Sequence, residues 1–449
     1  MSVSLRPARP AFAPDVEQRV AQLAEHGVDT VRVMLPDLNG VPRGKLITLD
    51  ELPAACRAGL TFSLAALTDG LRGHSLSGPS SPRGRGHPDV IAFPDLPTLR
   101  RVPWDSRLAW CLLDLAGAAS PRQALRDAID RATRLGLQPV VGPELEFYVL
   151  DADLGAPRPH GGVPGLAYGT AADGDVLVAE MLRAARELEL RVHGASHEFG
   201  RSQYEINLHH GPALDAADRA FLFKVMVKEL ATRHGAAATF VGKPFADDAG
   251  SGLHLHLSLV DADGGNVLHE ASASDGLAGP AHALVGGLLE HAPALTALLA
   301  PTINAYKRFA PDAMVPLAIN WGLDNRTCWL RVPLTRGAAT RVELRAGDAA
   351  AHPHLALAAA LHAGLDGLER GLEPPPPVHG DVSLPGTALG APLPRDLDAA
   401  LHALHVDATL VAALGEDLVA DFTAMKQLEL ERFRAHVTDW EHAEYLRAL

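Results

Sequence analysis

Four short runs of this chain set acidic, imidazole or guanidinium groups close together: Gly142-Pro143-Glu144-Leu145-Glu146, Glu198 with Glu205, Gly252-Leu253-His254-Leu255-His256, and Arg341-Val342-Glu343-Leu344-Arg345. In extended backbone successive side chains point to opposite faces, so a period of two gathers polar groups on one side. Val141, Leu145, Phe147 and Val149 then face one way, and Glu144 with Glu146 the other. Leu253, Leu255 and Leu257 alternate in the same manner with His254, His256 and Ser258, and Val342 and Leu344 with Arg341, Glu343 and Arg345. Carboxylates held this close raise one another's pKa, and divalent cations bound by oxygen with an occasional imidazole relieve the repulsion. A Glu-x-Glu or His-x-His alone reads as a solvated strand face. Recurring on several apolar-backed strands, with arginines beside a glutamate, they point to a multi-metal site that handles anions.

The chain around these groups is long, 449 residues with 47% apolar content, which allows two or three domains and a large core. A formal net charge of −14 argues against a nucleic-acid or membrane-surface binder while leaving room for a local basic pocket for nucleotide phosphates. Small molecules are the expected partners. Cys56, Cys111 and Cys328 are too few and too scattered for a disulfide framework or a zinc site, so free thiols in a reducing cytoplasm are expected. Residues 1–14, with three prolines and no apolar run, read as a loose tail and neither a signal peptide nor a span. The most apolar later stretch, Leu355 to Leu365, is short, Ala-rich and interrupted by His362, as in a buried helix of a globular domain.

The positioning elements follow from periodicity and punctuation. Val16, Val20 and Leu23 sit at helical spacing before Gly27. Thr30 to Leu35 and Lys45 to Thr48 read as a hairpin around Asp37-Leu38-Asn39-Gly40, with Asp50 capping a short helix. Thr68 to Pro103, dense in Gly, Pro, Ser and Arg, reads as long surface loops that contribute to the site or to a subunit contact. A boundary falls at Ala116 to Ser120, where Ser120 and Pro121 open a helix carrying Leu125, Ala128, Ile129 and Ala132. Beyond it the polar-faced strands alternate with helices near Val176 to Leu190, Asp215 to His234, Leu277 to Leu299 and Pro353 to Leu372, an α+β layer of helices on a sheet. A polyproline connector, Pro374 to Pro377, precedes a charged closing helix, Leu414 to Val437. The expected division is a tail at 1–14, a small β-rich domain at 15–116 and a catalytic domain at 117–449.

Together with Phe147 after Glu146, Lys243-Pro244 running into Gly250-Ser251-Gly252, Asn304-Ala305-Tyr306-Lys307-Arg308, and Asp324-Asn325-Arg326-Thr327, these motifs make the chain from Val16 to Leu449 resemble the glutamine synthetase superfamily. The nearest likeness is to its bacterial type I-like branch and to gamma-glutamyl-amine (gamma-glutamylpolyamine) synthetases. The resemblance implies a small β-grasp-like N-terminal domain, a catalytic domain on a curved antiparallel sheet with flanking helices, and stacked hexameric rings (a dodecamer) whose active sites lie between subunits. It implies that Glu146, Glu198 and Glu205 hold one Mg²⁺ or Mn²⁺ and Glu144, His254 and Glu343 another. Gly250, Arg308 and Arg345 would bind glutamate, Arg326 the transferring phosphoryl group, and His256, Ser258, Arg331 and Arg341 the ATP. Asp37 would meet the incoming nitrogen nucleophile across a subunit boundary. The implied reaction is ATP-dependent: the γ-carboxylate of glutamate attacks the terminal phosphate, and an amine displaces the γ-glutamyl phosphate to give an amide.

Departures from the family pattern bear on the acceptor. Ammonia-using members carry a glutamate at the position of Met314, where it closes over the site and helps deprotonate ammonium; here no base stands there, and Asp312 is displaced by two residues. A flexible apolar methionine suits the carbon skeleton of an amine. Arg201-Ser202 replaces a usual Pro-Gly, Ala249 a common Asn, and Gly371 to Glu444 holds no tyrosine for adenylylation control. The region Gly155 to Gly174 is a further expected contributor to specificity. The expectation is a ligase joining glutamate to an organic mono- or polyamine, with ammonia-using glutamine synthetase, or a non-catalytic structural or regulatory protein on the same fold, as alternatives. Retention of all six metal-ligand positions stands against the last.

Overall fold

The structure, a computed structural model, describes residues 15–76, 84–117, 120–153, 155–157, 167–168, 175–310, 314–384 and 390–449. The tail at 1–14, Asp312 and most of the stretch from 155 to 174 lie outside the described residues.

A five-stranded sheet runs in the order Pro42–Thr48, Thr30–Pro36, Asp105–Ala116, Asp89–Val102, Leu60–Ser63. Its pairs are antiparallel except Thr30–Pro36 with Asp105–Ala116, which run parallel. Val31, Val33, Leu35, Ala109, Cys111 and Leu113 form one apolar side, a small core closed by Leu49, Leu52 and Phe62. The expected hairpin is present, pairing Thr30 with Thr48 through to Pro36 with Pro42. Two expectations are corrected here. The stretch read as surface loop contains Asp89–Val102, a strand zipped against Asp105–Ala116. Pro94 and Pro97 hid its period; Pro94 pairs in register with Leu113, and Pro97 falls where the pairing shifts between Asp95 and Arg100, a place that tolerates a residue without an N–H donor. Asp50 caps nothing: it lies within the tight turn Leu49–Glu51, and Leu52–Ala58 begins after Glu51 with no side-chain cap.

The larger sheet has nine strands. Its main path is Trp321–Leu323, Leu330–Val332, Val342–Asp348, Gly252–Val260, Gln138–Asp151, Gln203–Leu208, Val192–His197, and Ala236–Thr239 and Gly211–Pro212 also pair with Gln138–Asp151. It is antiparallel as expected except at one edge, where Trp321–Leu323 runs parallel to Leu330–Val332. Val141, Leu145, Phe147, Ile206, Leu253, Leu255, Leu257 and Leu344 are all buried on the side that meets the helical layer. In that layer Ala213–Arg233 packs on Gln138–Asp151, and Pro353–Arg370 packs on Pro121–Arg134 and Gly279–Glu290. The two-residue period of the sheet thus leaves its polar face open.

The helix expected at Leu277 to Leu299 is two, Gly279–Glu290 and Ala292–Leu299. Pro293 cannot continue the hydrogen-bond ladder, and His291 at the break is held by Asp366 at 3.0 Å and Asp407 at 2.6 Å. The closing helix is Glu416–Arg434, followed by Asp439–Tyr445, which starts in a capping box made by Thr438 and Glu441. Among the described residues no single helix is long and apolar enough to cross a membrane. One buried guanidinium ties the two sheets' surroundings together: Arg122 pairs with Asp95 and Asp114 of the smaller sheet and with Asp218 of Ala213–Arg233. Asp218 also takes a 2.7 Å hydrogen bond from His354. Cys56, Cys111 and Cys328 are all unpaired.

Candidate active site

Strand register brings the polar runs together. Glu144 lies opposite His254 and Asn207, Glu146 opposite Glu205, and Glu343 opposite both His256 and Arg331. Glu198 follows the end of Val192–His197, where its N–H bonds the carbonyl of Gln203 at 2.9 Å. Beside His254 the pairing with Val342–Asp348 shifts register between Leu253 and Leu255, while the pairing with Gln138–Asp151 stays regular. His254 Nδ1 stands 3.6 Å from Glu144 Oε2 and 4.0 Å from Glu343 Oε1. One ligand atom from each of Glu144, His254 and Glu343 lies within 4.8 Å of the other two, a donor set of two carboxylate oxygens and one imidazole nitrogen that fits a hard divalent cation. Glu146, Glu198 and Glu205 do not converge as tightly among the described residues.

The electrostatics divide along the same line. Burial, then the charge of Glu146, pushes Glu198 up to about 7. Burial and the charges of Glu144, Glu146 and Glu198 push Glu205 up to about 9. Metal-free, these carboxylates therefore take up protons where others in water would not, and a cation among them would take the protons' place. Glu343 is the opposite case: burial opposes its charge, but Arg345, His254 and His256 outweigh burial and hold it down at about 2. Glu144 is likewise held well below the ordinary range, its burial outweighed by hydrogen bonds from His254 and His256.

Beside Glu144 a cleft of about 450 Å³ is lined by His256, Ser258 and Arg341, with His193, His210 and Thr340 around them. Arg341 Nε donates to His256 Nδ1 at 3.1 Å, and Ser258 Oγ donates to the Thr340 carbonyl at 2.9 Å. Arg331, expected with the ATP-binding residues, is not among those lining this cleft. Its strand lies beyond Val342–Asp348, so it reaches Glu343 at 2.7 Å and Asp324 at 2.6 Å and does not line the cleft. Arg308 and Arg345 are both buried. Arg308 Nη1 donates to the Gly347 carbonyl at 2.9 Å and its Nε has no partner; Arg345 pairs with Glu343 and donates to the Arg326 carbonyl at 2.8 Å. The Arg326 side chain is exposed. A Cβ at Gly250 would press on the Arg308 side chain at 2.8 Å, which explains a residue without one.

Residues 118–445 match the family model for the glutamine synthetase catalytic domain. The glutamine synthetase of Halobacterium salinarum is 32% identical over 94% of this chain and 94% of that protein. Gamma-glutamylethanolamide synthetase GlnA4 of Streptomyces coelicolor is 34% identical over 95% of this chain and 94% of its own length. This chain belongs to the glutamine synthetase family. A solved structure described as "GmaS/ADP complex-Conformation 1" superposes with a TM-score of 0.86 at 31% identity, covering 95% of this chain and 99% of that one. The chain thus has the glutamine synthetase fold and is an ATP-dependent ligase that forms a carbon–nitrogen bond, in a family that uses divalent metals, glutamate and either an amine or ammonia.

Asp37 is buried in its own turn, where Oδ1 accepts from the N–H groups of Asn39 and Val41 at 2.9 Å each and Oδ2 from Arg43 at 2.8 Å. Met314 is exposed, with φ of 51°, a left-handed conformation uncommon for a side chain of its size. The Arg201-Ser202 departure has a visible consequence: Ser202 adopts φ of 62°, and Arg201 Nε pairs with Asp248 at 2.9 Å, bracing the loop that leads to Ala249 and Gly250. Sequence reading missed Gln203 and Asp348. Gln203 donates to Glu146 at 3.2 Å and to the Gly250 carbonyl at 2.9 Å, joining a metal-ligand candidate to the glycine loop. Asp348, fully buried, sets Oδ2 3.9 Å from Arg308 Nη1. Gln203 was legible as the neighbour of Tyr204-Glu205. Asp348 was not, because the alternation of Glu343 and Arg345 assigns it to the apolar face.

Proposed function

We propose that this chain joins the γ-carboxylate of glutamate to an organic amine, a mono- or polyamine, through γ-glutamyl phosphate. The observation that carries this reading is Met314: the acidic residue expected of ammonia-using relatives is replaced by an exposed, apolar side chain. The amide synthetase among the relatives supports it.

Glu144, His254 and Glu343 would hold one divalent cation, and Glu146, Glu198 and Glu205 a second. Mg²⁺ or Mn²⁺ there supplies charge neutralisation for the phosphates of ATP. Arg341, His256 and Ser258 orient the nucleotide in the cleft beside Glu144. Arg308 and Arg345 offer planar forks to the α-carboxylate of glutamate, so its γ-carboxylate is aligned with the terminal phosphate. Arg326, exposed at its turn, counters charge developing on the transferring group. The protein's part is positioning and electrostatics. Stacked hexameric rings are part of the same proposal, with Asp37 of one subunit facing the amine at its neighbour's site.

A second reading, glutamine synthesis from ammonia, draws on the Halobacterium salinarum relative, which is nearly as similar. Phosphate release from ATP with glutamate and Mg²⁺ or Mn²⁺, comparing ammonium with a panel of amines and confirming the amide by mass, separates the two. Turnover with an amine and little with ammonium is expected; preference for ammonium would overturn the proposal. Met314→Glu should shift selectivity toward ammonium, and unchanged selectivity would remove Met314 from the acceptor pocket.

A further inference from the structure

A second and larger cleft, about 820 Å³, lies outside the carboxylate face, between Leu71 and Arg72, the segment Thr302 to Lys307, and the end of the closing helix at Arg432, Phe433 and His436. Arg72, Lys307 and Arg432 are exposed, and among the described residues none has a side-chain hydrogen bond or ion pair. The one carboxylate in its lining, Glu429, is engaged by Lys426 at 3.3 Å. On a chain of net charge −14, three unneutralised cations around one hollow form a local basic pocket.

The wall of the cleft adds an independent observation. A recess of about 60 Å³ shares Leu71, Thr302 and Ala350 with the cleft wall. It is lined by Lys426, 2% exposed, and by His352, 3% exposed, neither of whose ring nitrogens has a hydrogen-bond partner. Most of that lining is apolar and Lys426 already donates to Asn39 at 3.0 Å, but buried polar atoms without partners are rare, so the His352 nitrogens leave room for a hydrogen-bonding occupant beside the cationic cleft.

We propose that this cleft binds a small organic anion bearing two or more negative charges, a dicarboxylate or a phosphate ester, and that occupancy tunes glutamate affinity. The coupling route is short. Lys307 shares the turn Ala305–Arg308 with Arg308. Ala350 in the shared wall donates its N–H to Asp348 Oδ1 at 2.8 Å, and the other oxygen of Asp348 lies 3.9 Å from the Arg308 guanidinium. A ligand drawing Lys307 and Ala350 together would shift the Arg308 fork that the proposed function assigns to glutamate. The binding claim is independent of which nucleophile the enzyme uses; the coupling claim rests on the proposed glutamate site.

The test is isothermal titration of the assembled, Mg²⁺-loaded enzyme with succinate, glycerol phosphate and inorganic phosphate. Saturating glutamate and a non-hydrolysable ATP analogue keep the catalytic clefts filled. Saturable binding is expected for a dicarboxylate or a phosphate, whichever series fits, weakened about tenfold or more in Arg72→Glu/Arg432→Glu through loss of charge-assisted contacts. Without the anion, kcat and glutamate KM of that variant should match the wild type; with it, glutamate KM should move only in the wild type. Absence of binding by any of the three, as when a neighbouring subunit fills the cleft, or equal binding by variant and wild type, overturns the site. Binding with no change in glutamate KM overturns the coupling. If the double variant fails to assemble, Arg432→Gln alone carries the same comparison. Because calorimetry reads binding without turnover, failure of the ligase reading would leave this result interpretable.

Discussion

Glu198 and Glu205 carry folded-state pKa values of about 7 and about 9 against an ordinary 4.5, with burial the first cause in both. The sign follows from proton counting. Above the ordinary value the metal-free folded chain binds more protons at these groups than the unfolded chain does, so their contribution to stability falls as pH rises, and the loss is complete once pH passes about 9. A cation that replaces those protons removes the dependence and adds binding free energy to the folded state. In thermal unfolding followed from about pH 5 to about pH 9, the gap between Mg²⁺-loaded and chelated protein is therefore expected to widen with pH. A gap independent of pH would show that the carboxylate pair does not hold the metal. Glu343 has a different failing point, since it accepts from Arg331 at 2.7 Å and pairs with Arg345 while also facing His254. Glu343→Gln should lower phosphate release at saturating substrates by about tenfold to a hundredfold and raise the metal concentration needed for half-activity. Full activity at ordinary Mg²⁺ would remove Glu343 from the metal set.

The strands fix these side chains only because neighbouring backbones approach closely. At Gly347 an added Cβ would collide with the Leu253 carbonyl, on the strand partner where the pairing shifts register beside His254. Gly347→Ala is expected to push Gly252–Val260 away from Val342–Asp348, costing about 1–3 kcal/mol in urea unfolding. It should also weaken metal binding, because His254 and Glu343 sit on the two separated strands. Normal metal affinity in a destabilised variant would mean that the pairing of these two strands is not what sets His254. What was legible in the sequence was whatever obeys a strict period: Glu144, Glu146, His254, His256 and Glu343 were readable as one face because apolar residues alternate with each of them, although the pairing beside His254 shifts register. The buried strand Asp89–Val102 was illegible because two prolines and a register shift break its alternation. The break at His291 depends on Asp366 and Asp407, which are remote in sequence. The contacts of Arg331 with Glu343 and Asp324 were not legible either, since motif order specifies a residue's strand but not which neighbour that strand lies beside.

Across the whole molecule, the smaller sheet meets the helices that back the larger one through Arg122, which is 3% exposed and surrounded by Asp95, Asp114 and Asp218. Arg122→Met keeps much of the volume but leaves Asp218 buried without its guanidinium, and removing one partner of a buried charged pair costs about 3–5 kcal/mol. Calorimetry should then show the two parts unfolding in separated steps where the parent unfolds in one; a single step with unchanged midpoint would show that other contacts join them. The three unpaired thiols have a practical corollary. Burial raises Cys56 to about 11, Cys111 to about 12 and Cys328 to about 12, so at neutral pH almost none of their thiolate, the reactive form, is present. A cysteine introduced on the surface, at Leu71 on the rim of the larger cleft or at the exposed Trp440 near the C-terminus, would therefore outcompete the native three for maleimide dyes. The native chain can serve, without prior cysteine removal, as the background for fluorescence distance measurements between labelled positions.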